Sequence, residues 1–249
     1  MFCRDIAQFS RKKAVSLHTL FSLLIFGILI SLMYFDWYPD FMFDTDGGWQ
    51  GLQLISGVDF ILGPFLTLLI FKPGKVGLKK DLAVIGLIQI SSLFAGVWIV
   101  YHERPLAVIF TDFEYRAISR GSLEFVEQKP DILDRIPGDI PKWIYLDLPE
   151  SREERDVLRR KQFSDGPLAL TFSRWLPYAD HAQKVRTYGW TVAQIVEKEK
   201  KNNPKTDVAE KIEQWLKKNQ RSEEEILIFD YMGRYRESYL MVEAKTGQV

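Results

Sequence analysis

Cysteine and histidine are nearly absent from this chain of 249 residues, which has one cysteine, Cys3, and three histidines, His18, His102 and His181. A single thiol makes no intrachain disulfide, so any folded domain here is held by its own apolar core. No His-x-x-x-His or Cys-x-x-Cys pair is present, and neither is a Walker lysine loop or a nucleophile elbow. The expectation is therefore no enzyme activity, no catalytic residue, no metal and no cofactor. Nucleic acid is also an unsuitable partner, because the basic residues after Tyr101 are interspersed with acids and leave a net charge there of about −1.

Charge is missing from the first hundred residues more than from the rest. Of the 33 Lys and Arg and 33 Asp and Glu, 25 and 26 respectively lie after Tyr101. Three apolar runs fill the region before it: Ala14 to Phe35, Leu52 to Phe71 with one charge at Asp59, and Leu82 to Tyr101. About 20 apolar residues suffice for a helix to cross a hydrocarbon core about 30 Å thick. The runs predict three transmembrane helices over about 14–37, 52–71 and 82–101, in a membrane domain of residues 1–104. Arg11, Lys12 and Lys13 precede the first run as in a secretory signal. Its length, and the lack of small residues in Asp36-Trp37-Tyr38-Pro39-Asp40, predict a retained anchor instead.

Basic residues collect on the cytoplasmic side of a membrane. They flank the first run at its start and fill the turn at Lys72, Lys75, Lys79 and Lys80, whereas the other turn has Asp40, Asp44 and Asp46 and no basic residue. This predicts a cytoplasmic N terminus, with Cys3 as a plain thiol there, and residues 105–249 on the outer side. Trp37, Tyr38, Trp49, Trp98 and Tyr101 would then form the outer aromatic belt.

Residues 105–249 read as an α+β domain with an antiparallel sheet. Leu106–Phe110 and Trp143–Leu148 predict strands. Ser151-Arg-Glu-Glu154 opens a helix to about Gln162, Thr191-Val-Ala-Gln194 opens another that ends at Asn202-Asn203-Pro204, and a third starts near Asp207. Glu225–Tyr231 and Ser238–Glu243 around Gly233 predict a closing hairpin.

Asp59 is the most informative residue of the apolar half, since a carboxylate at the centre of a bilayer is unfavourable by roughly 2.5–3.5 kcal/mol and should face protein. Gln89 and Ser92, on the third run at comparable depth, are its candidate partners. Gly63 and Pro64 predict a kink that opens a groove for another helix. Ser92-x-x-x-Gly96 offers a small-residue packing face. The turn 71–80, with Lys72 and Lys75, suits either lipid phosphate or a plain basic turn. Asp46, Gly47, Gly48 and Trp49 suit either a recognition loop or the approach to the second helix.

These segments carry a family likeness. Asp46-Gly-Gly-Trp-Gln-Gly51, Gly57-Val-Asp-Phe-Ile-Leu-Gly-Pro64, Phe71-Lys-Pro-Gly-Lys75 with Gly77-Leu78, and Glu103-Arg-Pro105 resemble the TfpX/TfpZ family of bacterial type IV pilin accessory proteins. Gly233-Arg-Tyr235 and Lys245-Thr-Gly247 resemble that family's closing hairpin, and Glu197–Lys205 looks like a charged insertion. The resemblance implies a bacterial inner-membrane, multi-pass protein with a periplasmic C-terminal domain. Its partners would be a major type IV pilin and membrane lipid, and its work the pilin's stability, assembly or display. The alternative is a membrane-anchored sensor or small-ligand-binding module, which a ligand-sized apolar pocket in residues 105–249 would favour.

Overall fold

The computed structural model describes residues 10–57, 63–111 and 113–249, apart from the side chains of 163–165. The chain divides into two compact units, Met1–Arg104 and Pro105–Val249.

In the first unit, α1 (Arg11–Leu32) is capped by the Ser10 hydroxyl, which accepts from Lys13 N, and continues as a π-helical turn over Met33–Trp37. A single turn, α2 (Met42–Thr45), leads to α3 (Gly48–Ser56); α4 (Gly63–Ile70) and α5 (Leu78–His102) follow. Among the described residues, two helices, Arg11–Trp37 and Leu78–His102, are long and apolar enough to cross a membrane. Many of their large apolar side chains lie open, with Leu20 at 64%, Phe35 at 78% and Phe94 at 70% exposure. Where a third span was expected, the described residues give α3 up to Ser56 and α4 from Gly63. The kink expected at Gly63–Pro64 falls at the edge of residues 58–62, which lie outside the described residues, as does Asp59.

One end of this unit is packed by Met33, Trp37, Tyr38, Phe43, Leu52, Ile55 and Val100. Tyr38 Oη donates to Val100 O at 2.8 Å, and the Trp37 and Tyr101 rings meet edge-on at 5.2 Å. Gly51 lets α3 approach closely, since a Cβ there would stand 2.8 Å from Val100.

The second unit is built on one six-stranded sheet of order β4-β3-β1-β2-β5-β6. Its strands are β1 (Pro105–Thr111), β2 (Glu114–Ser119), β3 (Lys142–Leu146), β4 (Trp175–Pro177), β5 (Ile226–Met232) and β6 (Glu237–Glu243). The sheet is mixed, not antiparallel: β1 pairs parallel with β3, and β2 with β5, around three antiparallel pairs. The reason is the position of β1. All seven of its residues are buried, the pattern of an inner strand covered on both faces. Ala107 and Ile109 face a core with Ile118, Ile144, Leu146 and Trp175. Phe110 faces the other way, in register with Tyr115 on β2 and Tyr145 on β3.

Short α6 (Arg120–Glu124) follows β2, and α7 (Arg152–Asp165) starts at Ser151 as expected. Between them and the closing hairpin lie α8 (Tyr178–Val185), α9 (Val192–Asn202) and α10 (Val208–Asn219). Val192, Ile195, Ile212 and Leu216 of α9 and α10 pack on Ile226 and Ile228 of β5. The start of the stretch 197–205 is fixed to the sheet: Lys198 Nζ reaches Asp230 at 3.1 Å, and Tyr239 Oη donates to Glu199 at 2.7 Å. Thr191 and Gln194 form the expected capping box. Thr191→Ala should lower the unfolding free energy by about 1 kcal/mol in a denaturant titration, the typical effect of losing a hydroxyl cap.

Beneath α8, Tyr115 and Tyr178 share a hydrogen bond of 2.5 Å, and Tyr178 Oη donates to Gly247 O at 2.7 Å. That second bond uses the Tyr178 proton, so Tyr115 is the donor in the first. Burial pushes both phenols up, Tyr178 to about 12 and Tyr115 further, with Tyr178 adding to the shift of Tyr115. An unfolded tyrosine ionises near 10, so the folded chain keeps protons that the unfolded chain releases. The stability from this pair is complete below pH 10 and falls as pH rises from there, the Tyr178 share through about 12 and the Tyr115 share beyond it. The slope is roughly 1.4 kcal/mol per pH unit for each phenol still protonated. Melting curves from pH 8 to 11.5 should therefore fall less steeply for Tyr115→Phe than for the parent; parallel curves would contradict the assignment.

Candidate functional site

An apolar bundle in contact with lipid gains little from burying more leucine, so its polar residues carry the specific contacts. Polar side chains from three helices gather here. His18 and Ser22 are one turn apart on α1, and Ser22 is buried. Across from them, His18 Nδ1 lies 2.7 Å from Thr67 Oγ1 on α4, whose hydroxyl donates to Gly63 O at 3.0 Å. That donation spends the one hydroxyl proton, so His18 Nδ1–H is the donor to Thr67, and Nε2 is the remaining ring nitrogen.

Gly63 is where α4 comes closest to its neighbours. A Cβ built there would collide with the Gln89 side-chain amide of α5 and stand 2.7 Å from His18 Nε2. The seam thus joins α1, α4 and α5 through His18, Thr67, Gly63 and Gln89. Gly63 and Gln89 were expected in such a site, and the fold brings them together. Pro64 follows at the second residue of α4, and Ser92 lies one turn beyond Gln89 on α5, both part-buried. The expected pairing of Asp59 lies outside the described residues.

His18, Ser22 and Thr67 were not singled out from the sequence. The signal for them was partial: they are among the polar interruptions of otherwise apolar runs, and His18 and Ser22 share the i, i+4 spacing of one helix face.

The two loop candidates sit at opposite ends of the unit. Asp46 and Gly48 are buried, Thr45 Oγ1 donates to Asp46 at 2.7 Å, and a Cβ on Gly48 would stand 2.5 Å from the Phe43 ring. Asp46 to Gly48 are therefore a packed approach to α3, from which Trp49 projects at 52% exposure. Lys72 and Lys75 lie on the turn before α5, where Lys75 pairs with Asp81 at 2.5 Å. On α5, Val100 packs near α3 and Leu82 near the basic turn, a rise of about 27 Å between them.

Two concavities of the second unit bear on a ligand-binding reading. One, of about 270 Å³, is walled by Phe110, Tyr145, Tyr188 and Pro149 with Lys184 and Arg155 at its rim. The other, of about 390 Å³, lies by the C terminus, where Trp215, Ile226 and Met241 alternate with Arg221, Glu225 and Glu243. Ligand sites are usually about 300–1,000 Å³ and mainly apolar. The first is smaller than that, and the second is half polar.

No family model matches the chain, and no solved structure matches it. Among curated proteins, it is 28% identical to the fimbrial assembly protein of serogroup I of Dichelobacter nodosus, over 73% of this chain and 72% of the relative. It is also 28% identical to the serogroup E1 protein of the same organism, over 75% and 74%. With the protein of serogroups C1 and C2 the identity is 34%, over 50% of this chain and 91% of the relative. At that identity, across nine-tenths of the relative's length, the chain belongs to the family of fimbrial assembly proteins.

Proposed function

We propose that this chain is a non-enzymatic helper of a type IV pilin, of the TfpX/TfpZ kind, that holds the pilin in the bacterial inner membrane and assists its stability, assembly or display. The membrane is crossed three times, with the segment 52–71 as the middle span, the N terminus cytoplasmic and residues 105–249 periplasmic. The observation that carries this reading is the kinship with fimbrial assembly proteins in a chain whose helices expose their apolar side chains. A pilin awaiting assembly rests in the membrane by an apolar helix with its head outside, so its helper needs apolar helix faces and an outer domain. On α4, Phe65, Leu68 and Leu69 form an exposed stripe at helical spacing on the side away from the buried Gly63 and Thr67. That stripe is the surface offered to the pilin helix.

Deleting the gene should strip fimbriae from the cell surface and lower the amount of pilin in the inner membrane, with both restored by the full-length chain. Unchanged fimbriation and pilin level in the deletion strain would overturn the proposal.

A further inference from the structure

A groove of about 320 Å³ opens at the basic end of the first unit, between α1 and the turn that joins α4 to α5. It lies away from the Phe65 stripe. Ala14, Leu17, His18 and Phe21 form its α1 wall, at the i, i+3, i+4, i+7 spacing of one helix face, and Thr67, Phe71 and Leu82 close the other side. Apart from the His18 and Thr67 heads, which bond each other, the lining is apolar. The volume falls in the range of ligand sites, roughly 300–1,000 Å³.

The mouth is of opposite character. One turn before Ala14 on the same face stands Arg11, and its Nε donates to Phe71 O at 2.8 Å. That bond holds the planar guanidinium at Phe71, a residue of the groove wall, while the terminal nitrogens carry the other N–H donors. Lys72 adjoins Phe71, and Lys79 lies one turn from Leu82 on α5; both are exposed. Asp81, the acid at this end among the described residues, is paired with Lys75. An apolar slot beneath a cationic mouth matches a molecule with an alkyl chain and an anionic head. We infer that this groove seats one anionic phospholipid, its acyl chain along α1 and its phosphate under Arg11, Lys72 and Lys79. The bound lipid would tie α1 to the α4–α5 turn. The inference is independent of the pilin reading, since it concerns the protein and lipid alone.

The test uses the full chain, purified in a neutral detergent and titrated with phosphatidylglycerol, phosphatidylcholine of the same acyl chains, or inorganic phosphate. Bound lipid is counted in native mass spectra. One phosphatidylglycerol per chain should be retained, in clear preference to phosphatidylcholine. Lys72→Gln with Lys79→Gln, both at exposed positions, should weaken phosphatidylglycerol about fivefold per lysine, the equivalent of the ~1 kcal/mol a basic residue contributes at an anionic surface. Ala14→Phe, which fills the slot, should remove the retained lipid. Equal retention of the two lipids, undiminished binding in the double lysine variant, or full competition by inorganic phosphate would each overturn the assignment.

Discussion

Gly247→Val should destabilise the second unit by about 2–5 kcal/mol, the sum of a strained backbone and the loss of a buried hydrogen bond. Gly247 has φ of +74°, where a β-branched residue is disfavoured, and a Cβ there would run into the carbonyl of Ala182 on α8. The turn cannot yield without breaking its contacts. Gly247 O accepts from Tyr178, and Gln183 Nε2 donates to Lys245 O at 3.1 Å and to Thr246 O at 3.3 Å. If the turn moves away, Tyr178 Oη loses its acceptor in a buried site, and the donor–acceptor order set with Tyr115 is lost with it. Urea titrations followed by the near-ultraviolet signal of the tyrosines and tryptophans should show the loss. Lys245→Ala, at an exposed neighbour that joins the turn through its backbone carbonyl, should change stability by no more than about 0.5 kcal/mol, the usual limit for a surface substitution. A Gly247→Val chain within about 1 kcal/mol of the parent would mean that α8 and the closing turn are not held together as described.

Gly63→Leu should separate α4 from α1 and α5, with a loss of about 3 kcal/mol, the upper part of the range for overpacking. A single methyl is less harmful, because the first atom it meets is the end of the flexible Gln89 side chain; the His18 ring behind it is held by Thr67 and has less room to turn. Gly63→Ala should therefore lower stability in detergent by about 1 kcal/mol, and Gln89→Ala combined with it should recover part of that loss. Residues sharing one contact couple by roughly 0.5–3 kcal/mol. Additive effects would show that Gln89 does not crowd Gly63. On the proposed function, Gly63→Leu should also abolish fimbriation, because the α4 stripe would lose its support.

Much of the second unit was legible because its elements carry local signals. The Thr191–Gln194 box, the Ser151 cap and the closing hairpin each follow from a few adjacent residues, and each is present. The mixed sheet was not legible, since strand order depends on pairings between distant residues such as Glu114 with Asp230. Trp175–Pro177 is too short to show a period, and Glu114–Ser119 alternates charge with apolar residues at its start, so both strands escaped notice. The all-apolar run Leu106–Phe110 did contain a hint that β1 is an inner strand with parallel company. In the first unit, apolar length revealed α1 and α5. The seam was half legible: Gly63 and Gln89 could be singled out by chemistry, but which polar side chains meet across helices depends on rotation about each axis, and that is how Thr67 comes to face His18.

The central claim is that the apolar stripe of α4 engages a pilin helix inside the membrane. A photo-crosslinking amino acid placed at Phe65 in cells that make the full-length chain, with Val76 on the exposed turn as the comparison position, tests it most directly. A crosslinked species containing this chain and the major pilin, formed from position 65 and not from position 76, is the predicted result. Adducts to lipid alone at position 65, with pilin present in the same membrane, would contradict the account.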